Sequence, residues 1–251
     1  MRFRLTAFGL HLVGSATALT LVFGGLYIAW YRWPGWYLAD AAHVAALVVL
    51  VDLALGPLVT LLIASPRKPL RALARDIGVV VVIQMTALIY GAVTLWHGRP
   101  LYYTFSVDCL EMVQASELDQ KEIAAARQQN PHFLPRWYSL PQWIWVPLPE
   151  NRDEAARIVT GSLFGSSDVI QMPRYYRPWQ EGLPSLAKQL RPVDQVPGFS
   201  ATEKATLKTR MARLGLASDQ PSTLIMWGRG RPLLAVFDRT SLRIQAILRG
   251  D

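Results

Sequence analysis

Three long apolar runs fill most of the first hundred residues, and lipid leaves a backbone few choices. The first, 7–28, holds His11 as its only group that titrates near neutral pH. The second, 41–64, has His43 near one end and Asp52 at its centre, and the third, 77–96, carries no charge. A helix needs roughly 20 apolar residues to cross the hydrocarbon core. Since lipid cannot satisfy an exposed N–H or C=O, helix is the only open-ended form available. The expectation is a three-helix transmembrane domain over 1–97, with spans at about 7–30, 41–64 and 77–96, and a separate domain over 98–251.

The cations set an orientation. Arg2 and Arg4 precede the first run, and Arg67, Lys68, Arg71 and Arg75 crowd the connection between the second and third. The connection between the first two runs holds only Arg32, against Asp40. The positive-inside rule then expects a cytoplasmic N-terminus and 98–251 on the far side of the membrane. Trp30, Tyr31, Trp33, Trp36, Tyr37 and Trp96 cluster at that outer edge, as an interfacial aromatic belt does. Nor does the first run read as a cleaved signal peptide: it is too long for an h-region, and no small-x-small site follows.

Charge and cysteine content exclude several classes. Residues 1–100 hold 8 Lys/Arg against 3 Asp/Glu, so most of the +8 net charge belongs to membrane topology. The remainder, 18 against 15, forms no basic stripe, and nucleic acid is not an expected partner. Cys109 is the only cysteine, which rules out an internal disulfide and a C-x-x-C redox pair. No metal site and no cofactor are expected. The external region has one histidine, His132, and neither a G-x-S-x-G elbow nor an H-E-x-x-H motif. A catalytic reading therefore has no residues to stand on.

Residues 98–251 read as an α+β domain with a small antiparallel sheet. Leu101, Tyr103, Phe105 and Val107 alternate with Tyr102, Thr104 and Ser106, the period of a strand. Helices are expected from Ser116, from Asn151 to about Phe164, and from Ser200 to Gly215, each opened by a cap-like residue. Strands close the chain at 224–227, 233–237 and 242–248, the last two joined by the turn Asp238–Ser241. The stretches 131–149 and 170–200, with five prolines each, are expected to be irregular coverings. Tyr175, Tyr176 and Trp179 in the second of these are candidates for a partner-binding face.

Asp52 is the residue that most needs a reason. A carboxyl at the bilayer centre costs about 2.5–3.5 kcal/mol on insertion scales, so it should face protein. Gly56 and Thr60 follow on the same helix face, and His11 and Ser15 give the first span a similar small, polar seam. Gln84 and Tyr90 supply the polar groups of the third. These seven residues, His11, Ser15, Asp52, Gly56, Thr60, Gln84 and Tyr90, are the candidate contacts within the membrane. Counting 1.5 Å per residue puts His11 level with Thr60 and well short of Asp52, so a direct His11–Asp52 pair is not expected.

Several of these residues carry a resemblance. Ala7-Phe8-Gly9-Leu10-His11-Leu12, Val51-Asp52-Leu53-Ala54-Leu55-Gly56-Pro57-Leu58-Val59-Thr60-Leu61, and Gln84 followed by Tyr90-Gly91 and Gly98-Arg99-Pro100 resemble the type IV pilin accessory proteins of Gram-negative bacteria. The resemblance is close over residues 5–110 and looser beyond. It implies a multi-pass inner-membrane protein, with a periplasmic C-terminal domain, that binds the major pilin and modulates its stability or its assembly into pili. Membrane lipid and other pilus assembly proteins are further partners it implies. Type IV pilins share a hydrophobic N-terminal helix with a glutamate near its cytoplasmic end, at about the depth of His11. The expectation is that the spans shelter that helix, with His11 or Thr60 toward the acid. The alternative is a membrane-anchored periplasmic sensory or ligand-binding protein.

Overall fold

A computed structural model describes residues 1–251. The chain divides into two compact units, one made of residues 1–32 and 40–98, the other of residues 33–39 and 99–251.

The first unit is helical. Helix α1 (Arg2–Leu26) runs on through a π-helical turn, Tyr27–Tyr31, and stops before Pro34. Helix α3 (Ala41–Val49), a π-helical segment (Leu50–Leu55) and α4 (Gly56–Ile63) form one continuous rod. Pro66 and Pro69 prevent its extension, and α5 (Leu70–His97) follows. All three rods are long and apolar enough to cross a membrane. Leu19, Val48 and Leu88, backed by Phe23 and Leu53, form the core between them. Gly91 admits Val48, because a Cβ at position 91 would occupy the place of the valine Cγ2. Small residues at such crossings let helices approach where no hydrophobic drive exists. At one end the Tyr31 hydroxyl donates to the Leu95 carbonyl at 2.7 Å, and Trp30 meets Trp96 edge-on at 5.1 Å.

The second unit begins with a segment borrowed from the connection between the first two rods. Its short helix α2 (Gly35–Leu38) is followed, after α5, by β1 (Pro100–Ser106), β2 (Cys109–Gln114) and α6 (Gln120–Gln129). Next come β3 (Gln142–Trp145), α7 (Arg152–Leu163), β4 (Arg177–Pro178) and α8 (Trp179–Gln189). Helix α9 (Ala201–Arg213) and strands β5 (Thr223–Trp227), β6 (Leu233–Phe237) and β7 (Ile244–Arg249) complete it. The strands form one seven-stranded sheet in the order β4-β3-β1-β2-β5-β6-β7.

That sheet is neither small nor purely antiparallel. β1 pairs with β3 and β2 with β5 in parallel, while β1–β2, β3–β4, β5–β6 and β6–β7 are antiparallel. Parallel neighbours need crossovers, and the α6 and α7–α9 regions provide them. Both faces are covered. Tyr103, Phe105, Leu110 and Met112 meet α8 through Leu186, and Val113 and Ile144 meet α7 through Ile158. Ile225, Leu234 and Val236 lie under Leu207 and Met211 of α9. The alternation in β1 thus marks two buried faces rather than one buried and one wet.

Other expectations shift as well. The Pro-rich stretches contain β3, β4 and α8, whose short or proline-interrupted spans give weak periodicity. The helix expected from Ser116 opens at Gln120, with the Asp119 carboxylate accepting from the Lys121 N–H at 2.9 Å. Caps at Asn151 and Ser200 form as expected, the latter a capping box with Glu203.

The borrowed segment is a plug. Leu38 is 0% exposed within the sheet's core. Its carbonyl accepts from the Gly230 N–H at 2.9 Å, and a Cβ on Gly228 would lie 2.5 Å from that same oxygen. Glycine is required there because the two backbones touch. The Arg249 guanidinium lies 4.5 Å over the Tyr37 ring and makes two 2.8 Å hydrogen bonds to Asp251. Leu38→Ala should therefore cost about 2–5 kcal/mol, the usual range for a buried leucine, read as a lowered unfolding midpoint of the domain in detergent. An unchanged midpoint would mean that the segment is not part of the core.

Glu111 on β2 gives the domain a pH dependence. Burial, reinforced by the Asp168 and Glu117 carboxylates, pushes it from its ordinary 4.5 up to about 7. The folded state therefore holds this proton more tightly than the unfolded chain, and stability falls as pH rises from about 4.5 to about 7, then levels. Glu111→Gln should remove that slope and raise stability at pH 8 by on the order of 1–3 kcal/mol, measured by denaturant unfolding across pH.

Candidate functional site

The site is built on a break in backbone hydrogen bonding. Across Leu50–Leu55 the rod is wound in π-register, so the Gly56 N–H reaches back to the Val51 carbonyl. The donor next in line for the Asp52 carbonyl is residue 57, a proline without an N–H. The Asp52 carbonyl is thus left without a backbone partner on its own rod.

Gln84 on α5 fills the gap. Its Nε2 donates to the Asp52 carbonyl at 3.0 Å and to Ser15 Oγ at 3.3 Å. Its Oε1 lies 2.6 Å from His11 Nε2, and His11 Nδ1 lies 2.6 Å from Thr60 Oγ1. An amide oxygen only accepts, so Nε2 of His11 carries the hydrogen, and in the neutral ring Nδ1 accepts from the Thr60 hydroxyl. Gly56 is part of the same device: a Cβ there would collide with the Gln84 amide. One glutamine side chain joins all three rods. Thr60 and Gln84 are buried, and both ring nitrogens of His11 are engaged within the protein.

The Asp52 side chain stands apart from this network. It is 3% exposed, and its Oδ1 has no hydrogen-bond partner. It lines a groove of about 570 Å³ whose walls are α1 and α5 and whose back is the second rod. The walls carry apolar Phe3, Leu10, Ile77, Val81, Met85 and Leu88 together with polar Thr6, His11, Ser15 and Gln84, and the back supplies Asp52 and Thr60. A groove of this kind suits an apolar helix that carries one or two polar groups.

Of the seven membrane candidates, six come together here. The seventh, Tyr90, is 73% exposed on the outer face of α5 and takes no part. Distance along the helices separated His11 from Asp52, and the structure joins them through Gln84 with no direct hydrogen bond between them. In the second unit the aromatic trio does not form an outward face. Tyr176 is 0% exposed and packs edge-on to Tyr102, because it serves the core under α7. Tyr175 donates to Glu154, and Trp179 stacks edge-on with Trp143 at 5.3 Å. Cys109 offers no nucleophile, since burial pushes its thiol up to about 12. No group of three or more His, Cys, Asp or Glu side chains is placed to hold a metal ion.

The chain is 22% identical over 236 residues to the fimbrial assembly protein, serogroup I, of Dichelobacter nodosus, covering 92% of this chain and 89% of the relative. It is related to the fimbrial assembly proteins. The serogroup E1 protein of the same organism matches at the same identity and coverage. The serogroups C1 and C2 protein is 26% identical over 118 residues, which is 47% of this chain and 90% of the relative. No family model matches the chain, and no solved structure does. The relationship bears out the pilus-assembly resemblance carried by the His11, Asp52–Thr60 and Gln84 segments.

Sequence reasoning found the polar residues but not the role of Pro57. A proline inside an apolar helix always frees a carbonyl upstream, and a lone glutamine in the neighbouring span was the complementary signal. Gln84→Leu should leave the Asp52 carbonyl and His11 Nε2 unpaired and cost about 1–2 kcal/mol, and Gly56→Ala should cost as much by expelling the amide. Unfolding of the purified protein in mixed micelles reads both; midpoints equal to wild type would remove the network from the account.

Proposed function

We propose that this protein is a three-span inner-membrane protein that holds the apolar N-terminal helix of a type IV pilin in the groove between α1 and α5 during pilus assembly. Its relatives support a role in pilus assembly at the coarse level. The observation that carries the finer reading is the groove itself: a mostly apolar lining of about 570 Å³ with a few polar side chains set into it. A pilin helix entering from the cytoplasmic end would bring its glutamate to the level of His11 and Thr60. His11 and Thr60, whose Nδ1 and Oγ1 lie 2.6 Å apart, are the polar pair that the incoming carboxylate would meet there. This replaces the simpler picture of a free imidazole waiting for the acid, since both ring nitrogens are already engaged.

Topology supports the same arrangement. Residues 33–39 and 99–251 fold into one unit, so they must lie on one side of any membrane. An odd number of crossings between the N-terminus and each segment meets that condition, as three spans do. With the arginine-rich ends inside, the folded domain is periplasmic, where the pilin head would be. In this reading the domain meets the head while the groove meets the helix, and the protein acts by binding rather than by catalysis.

The test is site-specific photo-crosslinking in cells that make the pilin. A crosslinker at position 10 or 81, both on the groove walls, should capture pilin, and one at Leu62, exposed on α4, should not. Equal capture from all three positions, or none from the groove, would contradict the proposal.

A further inference from the structure

We infer that the helix occupying the groove presents a side-chain hydrogen-bond donor to Asp52. This inference rests on the groove being a helix site, and adds what the occupant must carry.

The argument starts from an unmet demand. Asp52 lines the groove, and its Oδ1 is buried without a hydrogen-bond partner, whereas its backbone carbonyl, the His11 ring and the Gln84 amide are all satisfied from within. Ionised or neutral, a carboxyl keeps at least one oxygen that can only accept. Leaving such an atom bare in hydrocarbon is costly, and no side chain lining the groove is hydrogen-bonded to it. The interior of an arriving helix has no spare backbone N–H, because each is bonded within its own turn. The donor must therefore be a side chain: a serine or threonine hydroxyl, an amide, or an ammonium group. Apolar lipid tails cannot supply it, so the occupant is a protein helix with one polar side chain amid apolar ones.

Depth specifies where that side chain lies. The Asp52 carbonyl is held at the level of Ser15 by the shared Gln84 amide, and Ser15, Ala18 and Asp52 all line the groove. Ser15 and Ala18 lie one to two turns along α1 from His11, on the order of 6–10 Å toward the periplasmic end. The donor on the guest helix should follow, by about four to seven residues, the group that sits beside His11.

The experiment uses the full-length protein with the crosslinker at position 81, co-expressed with the intact pilin, in wild-type, Asp52→Leu and Asp52→Asn forms. Asp52→Leu should reduce pilin capture at least tenfold while the protein accumulates and unfolds as wild type or better, since an unpaired buried carboxyl has gone. Asp52→Asn should keep most of the capture if the donor is a hydroxyl or amide, and lose it if the donor is cationic; either result supports the inference. On the pilin side, replacing the one matching donor by leucine should mimic Asp52→Leu, and combining the two should cost no more than either alone. Wild type capturing pilin from position 81 with Asp52→Leu capturing it equally would overturn the inference and leave the groove reading standing. Capture of lipid alone by the wild type would overturn both.

Discussion

The arrangement of the first unit depends on one missing N–H. Pro57 deprives the Asp52 carbonyl of its helix partner, and in a hydrocarbon setting that loss has to be met from another segment. The Gln84 amide meets it, and in doing so fixes where α5 lies against the second rod. Its oxygen then takes the His11 N–H and fixes α1 as well. In lipid such rods would have little apolar drive to associate, and a single shared polar group would have an influence there that it lacks in a water-soluble bundle. Gly56 and Gly91 serve the same end by removing side chains where another rod must come close.

The network also explains why the groove differs from a simple crevice between helices. Every polar group at its back is satisfied except the Asp52 carboxyl oxygen. The protein has used its own side chains to settle its own backbone, and the one group left over belongs to a residue that lines the groove. Retaining an acid there makes little sense for stability alone. It makes sense as a recognition element, because an apolar helix without a donor would gain contact area in the groove yet leave the carboxyl oxygen unmet.

Much of this was legible in the residues. The three long apolar helices follow from length and apolar content, and His11, Asp52, Gly56, Thr60 and Gln84 stand out simply by being polar or small inside such runs. The caps at Asn151 and Ser200 follow from side chains that mimic a preceding turn. What remained hidden did so for physical reasons. A π-register is a backbone hydrogen-bonding choice, and side-chain periodicity carries little trace of it. The mixed sheet was read as antiparallel because β3 is four residues among prolines and tryptophans, too short to show a period. Leu38 directly follows Tyr37 of the aromatic cluster, and only the fold reveals that it fills the core of a domain beginning some sixty residues later.

The most direct measurement of the central claim is an electron cryomicroscopy structure of this protein with full-length pilin in a lipid nanodisc. The account predicts a continuous helix lying along α1 and α5, with one of its polar side chains within hydrogen-bonding distance of Asp52. Lipid acyl density filling the groove, with pilin bound elsewhere on the protein, would contradict it.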